Sequence, residues 1–478
     1  MALRWIHFPL ILALALLPLR PAMAEDVSLE DALSGFGEEE KQTPAKTEDE
    51  KLPQKKTGRA SWLELSGAAT LSGAYNFAHK APEPGKTDFR GVSRLRGRLD
   101  ARLDVDLPSG WKARLGGVGY YDPVYSMNGR EKYTTQVLDE YENELRAKED
   151  YLAGSLLPNL DVKIGRQIVS WGKSDNIRIT DVLNPMDIRE PGMVDIEDMR
   201  EPLTMTRMDY YMGHWSLTAV AVHEIAFNKI PPYGSDFYPL DIPKPREEIP
   251  SSTSSNTEYG LALAGVFPGF DISFYLAEFY DDNFSLEGLA MIMVQPAIYP
   301  PPPGVAPFML VHDRLKMAGV SMNKALGNYL VKVEAAWLGG FRFLTDRHKE
   351  FQRVDALLGV EYSGFEDTMI SVEVAARSML DYQPFMAEGP MGVDATEWQV
   401  ALRYQQDFIH QTLHFTALAS VMGLDASGGA FQRVQLKYDL FDSFSVTGGA
   451  VLYQTGDTPF LARAGDNDRA FLEAKYSF

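Results

Sequence analysis

The sequence contains no cysteine. That excludes disulfide staples, and it excludes c-type haem attachment, which needs a C-x-x-C-H run. Long apolar runs are also missing. Beyond the first two dozen residues, nothing approaches the twenty or so continuous apolar residues of a membrane-crossing helix. Positive charge is in deficit, with 46 Lys and Arg against 66 Asp and Glu and a formal net charge of −20. Nucleic acid is therefore not expected as a partner. The G-x-S-x-G elbow of hydrolases is absent, as is the D-x-D-x-D-G order of an EF-hand loop. The near pair His410 and His414 would sit four rises apart on a strand, too far to share a metal. Carboxylate-rich stretches at 195–198, 278–282 and 465–469 read as solvated loops. No catalytic residue, metal or cofactor is expected.

What is present begins with "MALRWIHFPLILALALLPLRPAMA". A basic start at Arg4, an apolar stretch from Ile6 to Leu17 and an A-x-A end at Ala22 and Ala24 make residues 1–24 a secretory signal peptide. Its loss takes Arg4 and Arg20 with it and leaves a net charge of about −22. Residues 25–60 are charged, poor in aromatics and without strand pattern, which reads as a disordered periplasmic tether. Residues 61–478 form the remaining unit.

In that unit the governing pattern is period two. "RLRGRLDARLDVDL" puts Arg94, Arg96, Arg98, Asp100, Arg102, Asp104 and Asp106 on one side of a strand. Leu95, Gly97, Leu99, Ala101, Leu103 and Val105 fall on the other. An ordinary strand spans five or six residues; this one has the length of a tilted strand crossing a bilayer. A charged row facing water and an apolar row facing hydrocarbon suit a membrane barrel. Mean hydropathy is −0.20, as it would be when half of every strand is polar. The pattern returns in "YLVKVEAAW", with Lys332 and Glu334 on the polar row. It returns in "TEWQVALRYQQD", with Arg403, and in "FQRVQLKYDLF", with Arg433 and Lys437. These charged residues are expected to line the lumen.

Connections come in two kinds. Tight ones carry Gly, Pro, Asn and Asp near 107–111, 156–160, 211–215, 267–270, 324–329, 363–367, 406–411 and 440–444. Long polar ones lie between them. Short periplasmic turns and long extracellular loops are the asymmetry of outer-membrane barrels. The count is about eighteen strands, with sixteen acceptable because the stretches near 203–215 and 380–394 are poorly patterned. The expected fold is thus all-β, a transmembrane antiparallel barrel. "RAFLEAKYSF" places Tyr476 and Phe478 on the lipid face, resembling the terminal strand that barrel-assembly machinery reads.

Residues 162–215 differ from the rest. After a strand comes a loop of about thirty residues, and such a loop usually acts or is mobile. Its segments "GRQIVSWGKS", "VLNPMD" and "REPG" resemble the G-R-Q-x-V-x-W-G-x-S, N-P-x-D and R-P-G motifs of an uncharacterised proteobacterial outer-membrane barrel family, catalogued as domain of unknown function number thirteen-oh-two. The match concentrates in residues 145–225, and "REPG" stands where members tend to have "RRPG". The resemblance implies a companion of transport systems for hydrophobic compounds, with no catalytic role attached to the motif. Read physically, Arg166, Asp181, Asp187 and Arg189 could pin residues 173–202 inside the lumen as a constriction; the loop could equally stay outside. Strict parity puts Arg166 on the lipid face at a cost of about 2–4 kcal/mol. A bulge at Gly165 would turn it inward.

These readings point to an outer-membrane channel or transport component for small molecules in a Gram-negative cell. Its expected partners are outer-membrane lipid and lipopolysaccharide, barrel-assembly machinery, and an inner-membrane transporter or periplasmic protein. The rivals are a structural barrel that anchors or sleeves a partner of an envelope transport complex and, behind it, an outer-membrane hydrolase.

Overall fold

A computed structural model describes residues 62–239, 243–288, 308–344, 346–388, 392–459 and 461–478. The expected signal peptide, the tether and the proline-rich stretch 296–307 lie outside them.

Alternating side chains and turn residues generate a closed antiparallel barrel. Its strands are β1 Leu63–Asn76, β2 Gly91–Asp106, β3 Lys112–Tyr121, β4 in two halves (Asn143–Ala147 and Asp150–Leu157), β5 Leu160–Gln167 and β6 Leu203–Met212. Next come β7 Trp215–Val222, β8 Glu258–Phe267, β9 Phe270–Tyr280, β10 Arg314–Leu326, β11 Tyr329–Phe343 and β12 Asp346–Phe365. The circuit ends with β13 Thr368–Leu380, β14 Thr396–Phe408, β15 Leu413–Met422, β16 Gly429–Phe441, β17 Phe444–Gln454 and β18 Arg469–Ser477. Each strand pairs with its sequence neighbour, and β18 pairs back to β1 from Ala68↔Ser477 to Asn76↔Arg469. Among the described residues the barrel sheet has no unpaired edge, as hydrocarbon requires. The two poorly patterned stretches resolve as β6, which pairs fully with β5 and β7, and as the connection between β13 and β14. The barrel therefore has eighteen strands. Among the described residues no helix is long and apolar enough to cross a membrane.

Register settles which row faces which way. Leu99 lies opposite Ala69 on one side and Gly119 on the other, and its side chain is exposed on the outer wall. The alternate residues of β2 turn inward, where Arg102 donates to Ser66 of β1. The charged row is a ladder of mixed sign, with Arg98 on Asp100 and Arg102 on Asp104. Nine connections at one end are longer or more variable, and eight tight turns close the other. The connection that turns across the lumen, residues 168–202, joins β5 to β6.

The candidate functional site in the lumen

The site is built where residues 168–202 meet the inward rows of the wall. Its tip binds two buried carboxylates, Glu334 of β11 and Glu373 of β13. Ser174 donates its amide to Glu334 Oε1 at 2.8 Å; Thr180 donates its amide and hydroxyl to Oε2 at 3.2 and 2.8 Å. The Lys173 amide joins them on Oε1. On Glu373, Oε2 accepts from Ser174 Oγ at 2.8 Å and the Asn176 amide at 3.0 Å, and Oε1 accepts from the Asp175 amide at 2.9 Å. Backbone N–H groups aimed at a carboxylate make charge-assisted bonds, about twice as strong as neutral ones. Lys332, inward and adjacent to Glu334 in its row, pairs with Asp175 of the loop and Glu361 of β12.

Behind the tip, apolar loop residues Val169, Trp171, Ile177, Ile179 and Leu183 pack on inward residues of β6 to β14, including Met205, Val222, Tyr275, Leu338 and Leu357. Trp171 lies against Tyr275 with ring centroids 5.0 Å apart. This half of the lumen is therefore a hydrophobic core. The loop neck is stapled by Asn184, which accepts from the Val169 amide and donates to the carbonyls of Gln167 and Glu201. Asp181 accepts from the Trp171 amide and from Arg200.

The far part of the loop reaches the opposite wall. Arg189 donates to Glu144 of β4 at 3.0 Å and pairs with Asp187 at 2.6 Å, while its carbonyl accepts from Tyr141. Glu190 pairs with Arg94 of β2. The Pro191 carbonyl accepts from Tyr453 of β17 at 2.6 Å. Asp195 lies 3.8 Å from Arg403 of β14 and 3.4 Å from Arg433 of β16. The loop thus touches inward residues of β2, β4, β9, β11, β13, β14, β16 and β17. Because β2 and β11 are half the ring apart, it crosses the whole bore.

One expected placement is corrected. Gly165 adopts φ +129°, but the ladders on both sides of β5 run through it without a register shift near that residue. Arg166 therefore stays on the outer row, opposite Thr204, and is not part of the lumen loop. It is neutralised there by Glu224, which also accepts from the Thr204 amide. The anchors Glu373, Tyr275 and Tyr453 were not singled out in the sequence reading. Their inward parity was readable; their bonds to a loop up to 262 residues away in sequence were not.

No curated protein matches the chain. Among solved structures it is similar to the outer membrane protein OpdK from Pseudomonas aeruginosa, at 11% identity over 87% of this chain and 99% of that one, TM-score 0.49. OccK2 (OpdF) of the same organism is similar at 12% identity, over 87% and 97% of the two chains, TM-score 0.47. The BenF-like porin of Pseudomonas fluorescens Pf-5 is similar at 10% identity, over 87% and 98%, TM-score 0.49. The family model described as "Protein of unknown function (DUF1302)" matches residues 11–478, and the chain belongs to that family.

Proposed function

We propose that the protein is an outer-membrane channel for small molecules, narrowed by residues 168–202. The observation that carries this reading is the bonding of that one loop to inward residues of eight strands around the ring. An eighteen-strand barrel is wide enough to hold a water-filled path. The loop's apolar face fills the β6–β14 side, so the path runs along the opposite side. There Arg98, Asp100, Arg102, Asp104, Lys148 and Lys437 keep part of their side chains exposed. Rows of charge of this kind tune which ions pass.

The test replaces residues 174–201 with a short Gly-Ser linker. The closed ladder does not depend on those residues, so heat-modifiable folded barrel should remain at parental yield. Single-channel conductance in planar bilayers should rise severalfold. A folded variant that conducts like the parent would refute the constriction.

A further inference from the structure

We propose that Arg403 and Arg433 form a binding site for a small carboxylate with an apolar tail, which Asp195 of the loop occupies when no such ligand is bound. The proposal rests on the channel reading and adds a ligand class to it. Arg403 pairs in register with Leu418, and Leu418 pairs with Arg433. The three residues therefore form one inward row across β14, β15 and β16. Strands lie about 4.7–4.9 Å apart, so the two arginines start about 10 Å apart and can converge on one anion.

Their own partners leave that anion position under-used. Arg433 is held by Gln435, whose Oε1 accepts from Nε at 3.0 Å and Nη2 at 2.8 Å. Its Nη1 is buried without a hydrogen bond, as is Arg403 Nε. The Arg433 side chain is only 7% exposed. Asp195 stands between the two guanidiniums at 3.8 and 3.4 Å, beyond good hydrogen-bond length. Asp198 and Glu473 add negative charge around Arg433. The unmade N–H bonds remain, and a buried donor left unsatisfied is costly. A free carboxylate can approach each guanidinium at about 2.7–2.9 Å and bond both, whereas Asp195 is tethered to its loop. Leu418, on the same row, supplies an apolar contact for the ligand's tail.

Occupation has a consequence. A ligand seated on Arg403 and Arg433 takes the place of Asp195 and removes the loop's ion pairs to those two arginines. Ligand binding and loop release are then linked, each favouring the other.

The experiment uses the full-length protein in detergent micelles, with butyrate as probe and butyramide as its neutral counterpart, read by titration calorimetry. Butyrate should bind and butyramide should not. The double variant Arg403→Gln/Arg433→Gln should bind butyrate at least tenfold more weakly. Arg403→Lys keeps the charge without the fork and should fall between. Asp195→Asn should bind severalfold more tightly, an effect a merely structural ion pair would not give. Equal binding of butyrate and butyramide, or parental affinity in a folded arginine variant, overturns the site. Calorimetry does not require conduction, so a protein that binds butyrate but conducts nothing refutes the channel and keeps the site. One that conducts but ignores butyrate does the reverse.

Discussion

At the scale of single residues, the lumen's most buried charges are structural anchors. Glu334 and Glu373 would read in sequence as pore-lining acids, yet each carboxylate is saturated by loop donors. Glu373 shows why the charge state matters. Both of its oxygens accept, so a glutamine there would turn an NH2 toward an N–H or hydroxyl. A Glu373→Gln variant should lose about 2–4 kcal/mol of loop docking, because a buried donor left unsatisfied costs about 1–3 kcal/mol and bonds to charged groups are at the high end. Hydrogen exchange checks it: the amides of Asp175 and Asn176 should lose protection while strand amides keep theirs. Unchanged protection at those two amides would mean that Glu373 does not hold the loop. Arg166 teaches a complementary lesson. Simple alternation placed it outside, and the structure keeps it there with Glu224 as counter-charge.

At the scale of elements, the 168–202 connection acts as an internal wall section. It has an apolar face, a stapled neck and a second seat on the far side of the bore. Gly192 forms part of that second seat, with φ +76°. A Cβ there would lie 2.8 Å from Phe431 Cδ2 and 3.2 Å from Val451 Cγ1. Glycine is needed twice over, for its backbone conformation and for the close approach. Gly192→Val should unseat this half of the loop from β16 and β17 while the Glu334 and Glu373 anchors hold. Conductance should then lie between that of the parent and that of the loop-replaced variant. A parental value would show that the far seat does not narrow the path. The loop's order was partly legible, since Pro185, Pro191 and Gly192 restrict or permit particular backbone shapes. Whether it entered the barrel was not legible, because mixed charges on a loop suit water and a mixed-charge wall equally well.

At the scale of the whole molecule, the long connections also hold one another over one end of the barrel. Glu247, between β7 and β8, accepts from His312, between β9 and β10, at 3.0 Å and from Lys244 at 2.7 Å. The His312 ring is stacked on Phe227 and its Nδ1 faces the Asp281 carbonyl at 2.7 Å. Burial by itself would raise the Glu247 carboxyl, but the bonds from His312 and Lys244 override it and bring it from the usual 4.5 to about 2. A depressed carboxyl stabilises the docked loops above its unperturbed value and loses that contribution as pH falls toward its folded value. Between about pH 4.5 and 2, protease cleavage in 223–257 should therefore rise severalfold while the barrel stays intact. Glu247→Gln should cleave at a nearly constant rate across that window. An acid response that persists in this variant would assign the effect to another group.

The barrel itself was legible in the local pattern of the chain: about eighteen strands with sixteen still open, the inward and outward rows, the tight and long ends, and the closing strand. Those follow from side-chain alternation and turn chemistry, which act between residues close in the chain. What the long loop does is set by contacts across the fold. Its partners are inward residues such as Glu334, Glu373, Arg433 and Tyr453, up to 262 residues away, and no local pattern encodes a contact between a loop and the far wall. The same distance explains why Arg94, Arg403 and Arg433 looked alike in sequence as lumen charges. Arg94 is committed to Glu190, whereas Arg403 and Arg433 share one carboxylate at long range.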